Sequence, residues 1–273
     1  MGVVASAAPA IAGRPERIVA LAPSAAEILV ALGAAGRVVG ISDFAKDIPE
    51  VSGSVHLGGF RPDLERVLSL RPDLVVVSKD GTDKNSFDQL VRLKVPILVT
   101  SGNTLEGVFS DIQIVGMAIG EEKRARELIL VLKRRVAKVR ATLASRPAGR
   151  PIPTVLVLIW PDPPVVAGPS SFIGDALKQA GIPSAVPGEA GEWPRVSLET
   201  IASWNPGVII HPETEENRDV FQRAMTGNAQ WKVVSAFMRG NVRSIPGAWL
   251  ERPGPRLVDA LERLAAQLEA GRK

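Results

Sequence analysis

The sequence predicts an α/β protein built from two Rossmann-like lobes joined by one long backbone helix. Three observations carry that prediction. First, apolar strands and amphipathic helices alternate from residue 17 onwards, and the alternation stops once and restarts. Second, the interruption, residues 121–146 (EEKRARELILVLKRRVAKVRATLASR), holds no Gly and no Pro. Its apolar positions Ala125, Leu128, Leu132, Val136, Val139 and Leu143 recur at the helical period, between charged residues such as Lys123, Glu127 and Arg134. A helix of that length spans about 39 Å, enough to cross a domain. Third, the flanks repeat each other. Residues 63–77, DLERVLSLRPDLVVV, align without a gap on residues 197–211, SLETIASWNPGVIIH, 134 positions on. Each copy opens on a helix-capping residue (Asp63, Ser197), continues with Leu and Glu (Glu65, Glu199), and meets a Pro (Pro72, Pro206) before an apolar strand. Two copies are too few for a solenoid and point to two lobes of one design. The expected boundaries are 14–120 for the first lobe, 121–146 for the helix and 147–273 for the second lobe.

In the first lobe, residues 17–22 (RIVALA) read as a strand broken by Pro23. Ser24 with Glu27 reads as a capping box for a helix to Leu32, stopped by Gly33. Residues 37–41 are the next strand, and 42–60 a long loop carrying Phe44, His56 and Phe60. Strand 74–77, helix 85–93, strand 96–100 and helix 104–119 complete the lobe. In the second lobe, 154–160 (TVLVLIW) is a buried strand and 161–168 a Pro-rich loop. Ser170 or Ser171 caps a helix over 172–180, and Gly181 ends it. A loop at 183–191 leads through Trp193-Pro194 into the second repeat copy and strand 208–210. Helices at 217–225 and 229–233, a strand at 241–245 and a loop at 247–255 follow. Leu257, Leu261, Leu264 and Leu268 make 255–269 a closing amphipathic helix.

Composition narrows the function. The chain has 273 residues, is 45% hydrophobic and carries a net charge of +4. Its basic residues are scattered and its aromatics few, which argues against nucleic acid as a partner. With no cysteine, disulfides, thiol catalysis and Cys-ligated zinc are excluded. No apolar run is long enough to span a membrane. The first residues, MGVVASAAPAIAGRPER, have Ala-rich sites of the kind signal peptidase reads but no basic n-region. The stump of an export signal, a mature start with an added Met and a disordered leader all stay open.

Ligands of open α/β sheets bind outside the carboxyl ends of the strands. The loops there carry Ser24, Phe44, Phe60, Trp160, Trp193, Trp249 and Arg252. One such aromatic alone is most simply a packing anchor. The set, drawn from both lobes, points to a large, flat, apolar ligand. Enzyme motifs are missing: His56 and His211 form no HExxH, Ser24 sits in APSAAE rather than GxSxG, and no GxGxxG or Walker sequence follows a strand. No catalytic residue and no metal ligand is assigned. His211 reads as a polar residue ending a strand, and whether His56 touches a ligand stays open.

Four stretches in order, RIVALAPSAAEILVALGAAGRVVGIS, DLERVLSLRPDLVVV, WPRVSLETIASWNPGVII and GAWLERPGPRL, resemble the periplasmic substrate-binding proteins of cobalamin, haem and ferric-siderophore ABC importers. The resemblance covers residues 17–268. It implies two α/β lobes, one backbone helix and a ligand held between the lobes. The cobalamin-binding branch is nearest. Its pocket Trp before a Pro matches Trp193-Pro194, its pocket Arg matches Arg252 in Trp249-Leu250-Glu251-Arg252, and a first-lobe Tyr matches Phe44 by position. Two positions depart: the branch's first-lobe Trp falls near Gly59, beside Phe60, and an acid falls at Ala248. The chain has no Tyr, the residue that usually ligates haem iron in this family. The resemblance also implies that Glu65 and Glu199, one per lobe, dock on the permease, although each also suits its helix dipole.

The expectation is therefore a non-enzymatic, periplasmic or extracytoplasmic monomer that delivers a corrinoid to the permease dimer of an ABC importer. It needs no cofactor of its own and meets the membrane only through the permease. A ferric siderophore or haem is the alternative ligand. An enzyme or metal-cluster protein on a related two-lobe scaffold is the alternative class.

Overall fold

The computed structural model describes residues 13–147, 149 and 151–270. The first twelve residues of the leader lie outside the described residues. The chain forms two compact units. One holds the chain up to Gly102 together with Glu106–Leu130; the other holds Asn103–Leu105 and everything from Val131.

The first unit is a parallel five-stranded sheet of β1 (Ile18–Ala20), β2 (Val38–Ile41), β3 (Val55–His56), β4 (Leu74–Ser78) and β5 (Ile97–Thr100), in the order β3-β2-β1-β4-β5. Helices α1 (Pro23–Ala31), α2 (Leu64–Ser69), α3 (Lys84–Arg92) and α4 (Leu105–Ala118) connect or follow the strands. The central strand β1 is wholly buried, which its unbroken apolar run required. Helix α5 (Glu122–Ala144) then runs 23 residues without interruption, divided between the units at Leu130. It ends ahead of Pro147, since a residue before proline resists the helical region.

The second unit carries β6 (Val155–Pro161), β7 (Pro164–Val166), α6 (Phe172–Gln179), α7 (Leu198–Trp204), β8 (Val208–Glu213), α8 (Arg218–Gly227), α9 (Ser235–Met238), β9 (Val242–Pro246), α10 (Gly247–Leu250) and α11 (Leu257–Ala270). Its sheet order is β7-β6-β8-β9, with β6, β8 and β9 parallel and β7 antiparallel on the edge. Trp231 and Phe221 are the largest side chains of its core.

The repeat holds at the level of single bonds. Asp63 accepts the N–H of Arg66 at 3.0 Å, and Ser197 accepts that of Thr200 at 3.1 Å. Both helices end on a left-handed residue, Arg71 at φ 46° and Asn205 at φ 45°. Each is followed by Pro and then by the strand, β4 or β8.

Several expectations need correction. Ser24 is no N-cap. Helix α1 starts at Pro23, with Ala22 as its unassisted cap, because proline's fixed φ suits the first helical position, where its missing N–H would have no partner within the helix. Residues 42–60 are not all loop. They contain two 3-10 turns, Asp43–Ala45 and Pro49–Val51, and strand β3, which is too short to show periodicity. The Pro-rich stretch after β6 folds back as β7, an edge position where proline is tolerated. His211 does not end its strand: pairing with β9 carries β8 on to Glu213. Residues 247–250 form α10 rather than loop, and 229–233 form a 3-10 turn followed by α9.

In the second unit α5 is pinned to α11. Arg135 forks onto Glu262, with Nε donating at 2.9 Å and Nη2 at 2.6 Å, and Nη2 also reaches Asp259 at 2.5 Å. These bonds hold the Glu262 carboxyl below its ordinary value and raise the Arg135 guanidinium above its own. Arg135→Met should lower stability at neutral pH by about 1–2 kcal/mol, reduced by the part of the pair that faces water. A carboxyl depressed in the folded state stabilises above its unfolded value, and that contribution is lost as pH falls through the folded value. Urea midpoints of wild type and variant should therefore differ at neutral pH and converge in acid, below the ordinary carboxylate range.

Candidate functional site

In the first unit, β2 and β3 end side by side. Ile41 is in register with His56, the Leu57 N–H donates to the Ile41 carbonyl at 3.0 Å, and the Asp43 N–H donates to the Gly58 carbonyl at 2.9 Å. The two following loops are thereby laced together at the carboxyl edge of the sheet. Ser42 accepts the Phe44 N–H at 3.3 Å and starts the 3-10 turn. Phe44 and Phe60 are 56% and 50% exposed, so neither is a core anchor. The Phe44 ring lies over Gly59: a Cβ there would sit 3.0 Å from its Cζ. Thus the position that the resemblance assigns to a tryptophan is covered by the ring of Phe44. His56 Nδ1 lies 3.3 Å from Asp43 Oδ1, with both side chains about half exposed. Ser24 is buried within the first turn of α1 and offers almost no surface.

In the second unit, Trp160 and Trp193 are 44% and 40% exposed. Trp160 lies near the end of β6, where its Nε1 donates to the Asp162 carbonyl at 2.9 Å. Its ring meets buried Phe221 edge-on at 6.5 Å, and Phe221 stacks on His211 at 4.6 Å. Burial pushes the His211 imidazole below its ordinary value. Phe221 and His211 also line a cavity of about 280 Å³ with Arg218 and Phe237.

Trp193 is placed by backbone. The N–H groups of Val166, Gly168 and Val196 donate to the carbonyls of Pro194, Glu192 and Pro164 at 3.1, 2.7 and 2.9 Å. The Trp193 segment is thus zipped along β7 and the loop after it. Its indole rests edge-on against Phe172 at 5.6 Å, at the start of α6, whose N-cap is Ser171. Trp249 is half-buried in α10, and Arg252 is half-buried in the turn before α11. Sequence reasoning missed Phe172, Phe221 and Asp43 as partners of the predicted site residues. No spacing rule links them, because the contacts are made across elements.

Glu65 and Glu199 are both exposed, each the second residue of its helix. The Glu199 carboxyl is held below its ordinary value by its own backbone N–H and by the Ser197 hydroxyl.

The backbone zipper depends on Gly168, where a Cβ would stand 2.0 Å from the Gly191 carbonyl oxygen. Gly168→Ala should therefore force the Trp193 segment off β7, at a cost of about 1–3 kcal/mol. The check is tryptophan emission together with thermal melting. Both should change in Gly168→Ala, whereas Gly188→Ala, where a Cβ meets nothing, should change neither.

The family profile of periplasmic binding proteins matches residues 18–248. The chain is 28% identical to a cobalamin-binding protein of Halobacterium salinarum, over 92% of this chain and 69% of that one. It is 27% identical to an ABC transporter substrate-binding lipoprotein of Bacillus subtilis, over 93% of this chain and 80% of the relative. Among solved structures, a periplasmic haem-binding protein from Pseudomonas aeruginosa superposes with a TM-score of 0.83 at 24% identity, covering 93% of this chain and 92% of that one. The profile covers most of the sequence and both sheets, and the chain therefore belongs to the periplasmic binding protein family, the non-enzymatic, extracytoplasmic solute-binding components of ABC importers.

Proposed function

We propose that the solute is a corrinoid. The observation that carries this is the set of half-exposed aromatic rings: Phe44 and Phe60 in the loops after β2 and β3, Trp160 near the end of β6, and Trp193 on the segment paired beside β7. Exposed aromatic faces favour a broad, flat, largely apolar solute. Trp249 and Arg252 complete the set, and Arg252 suits a solute that carries amide or phosphate oxygens. Relatives named for cobalamin or vitamin B12 binding support the corrinoid. The absence of any Tyr weighs against haem.

The importer's permease dimer is the proposed partner, met through Glu65 and Glu199. Each carboxylate is free of the core and sits at the same point of a repeated helix start. Charges at such a rim chiefly set association rate and register. The binding protein is proposed to act as a monomer.

The ligand class is tested by mixing the protein with cyanocobalamin, haemin or a ferric hydroxamate siderophore and following absorbance through gel filtration. Cyanocobalamin should comigrate with wild type, and Trp193→Ala should lose at least about 2 kcal/mol of affinity, as a buried aromatic hot spot does. Comigration of haemin or the siderophore alone would replace the corrinoid with that ligand.

A further inference from the structure

We infer that His56 is an axial ligand for the metal of the bound chelate, held in place by Asp43. The inference rests on the assignment of a metal chelate, and specifically a corrinoid, as the solute.

The chain has few side chains able to ligate a transition metal carried in a macrocycle. It has no Cys, no Tyr, two His and four Met. Met225 is buried in the core of the second unit. Met117 and Met238 are exposed, but on helices α4 and α9 rather than at a sheet edge. Met1 lies outside the described residues. His211 is half-buried, stacked on Phe221, and its Nδ1 lies 3.2 Å from the Pro212 carbonyl. His56 differs from all of these. It ends β3 at the carboxyl edge of the first sheet, and its side chain is 48% exposed. The loops on either side of it carry the exposed rings of Phe44 and Phe60.

Its neighbour fixes the chemistry. Asp43 immediately precedes Phe44 and faces His56 Nδ1 at 3.3 Å. With the ring proton on Nδ1, turned to the carboxylate, the lone pair lies on Nε2. A carboxylate behind the far nitrogen is the arrangement that orients a metal-ligating imidazole and fixes its tautomer. The step is a ligand exchange. The Nε2 lone pair forms a bond to cobalt, the bound axial water leaves with its own lone pair, and the metal keeps its oxidation state. The Asp43 backbone is itself held, since its N–H donates to the Gly58 carbonyl at 2.9 Å. The carboxylate, the imidazole and both phenyl rings therefore belong to one laced pair of loops.

The test compares two corrinoids: aquocobalamin, whose axial water exchanges, and cyanocobalamin, whose cyanide does not. Wild type should bind both, and only aquocobalamin should show a shift of its visible bands on binding. His56→Gln, which keeps a hydrogen-bonding side chain, should abolish the shift and weaken aquocobalamin binding by about 10- to 100-fold, leaving cyanocobalamin within about twofold. Asp43→Asn should weaken aquocobalamin by about 10-fold through loss of orientation. Binding of both corrinoids with no band shift, or a shift that survives His56→Gln, overturns the axial-ligand role and leaves the corrinoid assignment intact. Binding of neither corrinoid removes the assignment and this role together.

Discussion

A short helix must give way to a parallel strand within three or four residues, twice in this chain, and the rest of each unit follows from how that is done. At Arg71 and Asn205 the backbone enters the left-handed region, and the proline that follows forbids a return to helix. Asn is at home in that conformation; Arg is not, and its retention of φ 46° shows how strongly the surrounding packing sets the turn. Once the chain is turned, β4 docks beside β1, and β8 docks beside β6. The helix starts are then fixed by Asp63 and Ser197, which bring Glu65 and Glu199 to equivalent exposed points of the two units. The same two local devices, a cap before each helix and a left-handed residue with proline after it, recur in both units.

The same order explains the rings of Phe44, Phe60 and Trp160, while Trp193, in the connection after α6, is placed by its pairing beside β7. In parallel strands every carboxyl end faces one way, so the loops that follow gather at one edge of each sheet. Hydrogen bonds between neighbouring loops then decide where each ring stands. Phe44 is laid over Gly59, and Trp193 is carried on a segment zipped to β7. Such rings are held by backbone and by T-shaped contacts to Phe172 and Phe221, and they stay about half exposed. A solute-binding protein needs apolar surface that is exposed yet fixed, and this construction supplies it without burying the rings.

The parts legible in the sequence were those with local causes. The repeat could be read from the spacing of cap, Glu, Pro and apolar run, and α5 from an unbroken helical period. Loop aromatics were visible as residue types after strands. The remainder depended on partners far along the chain. β3 has two residues and exists only through its pairing with β2. β7 is three residues of a Pro-rich stretch that pairs back on β6. Ser24 matched a capping box, but Pro23 moved the helix start ahead of it. Asp43 beside His56 could not be read from sequence, because the loops after β2 and β3 meet only once the two strands pair.

One design is used twice, and the proposed function has each copy offer its helix-start carboxylate to the importer. The direct measurement is cyanocobalamin uptake into vesicles holding the permease complex, using Glu65→Gln, Glu199→Gln and the double variant. Solute binding in solution should match wild type in all three, while uptake by the double variant should fall by about tenfold or more, with each single change giving a partial loss. Added salt should slow the wild type towards the variants, because exposed charge pairs are screened. Wild-type uptake by the double variant at low salt would contradict the account and leave the two glutamates with helix-dipole compensation alone.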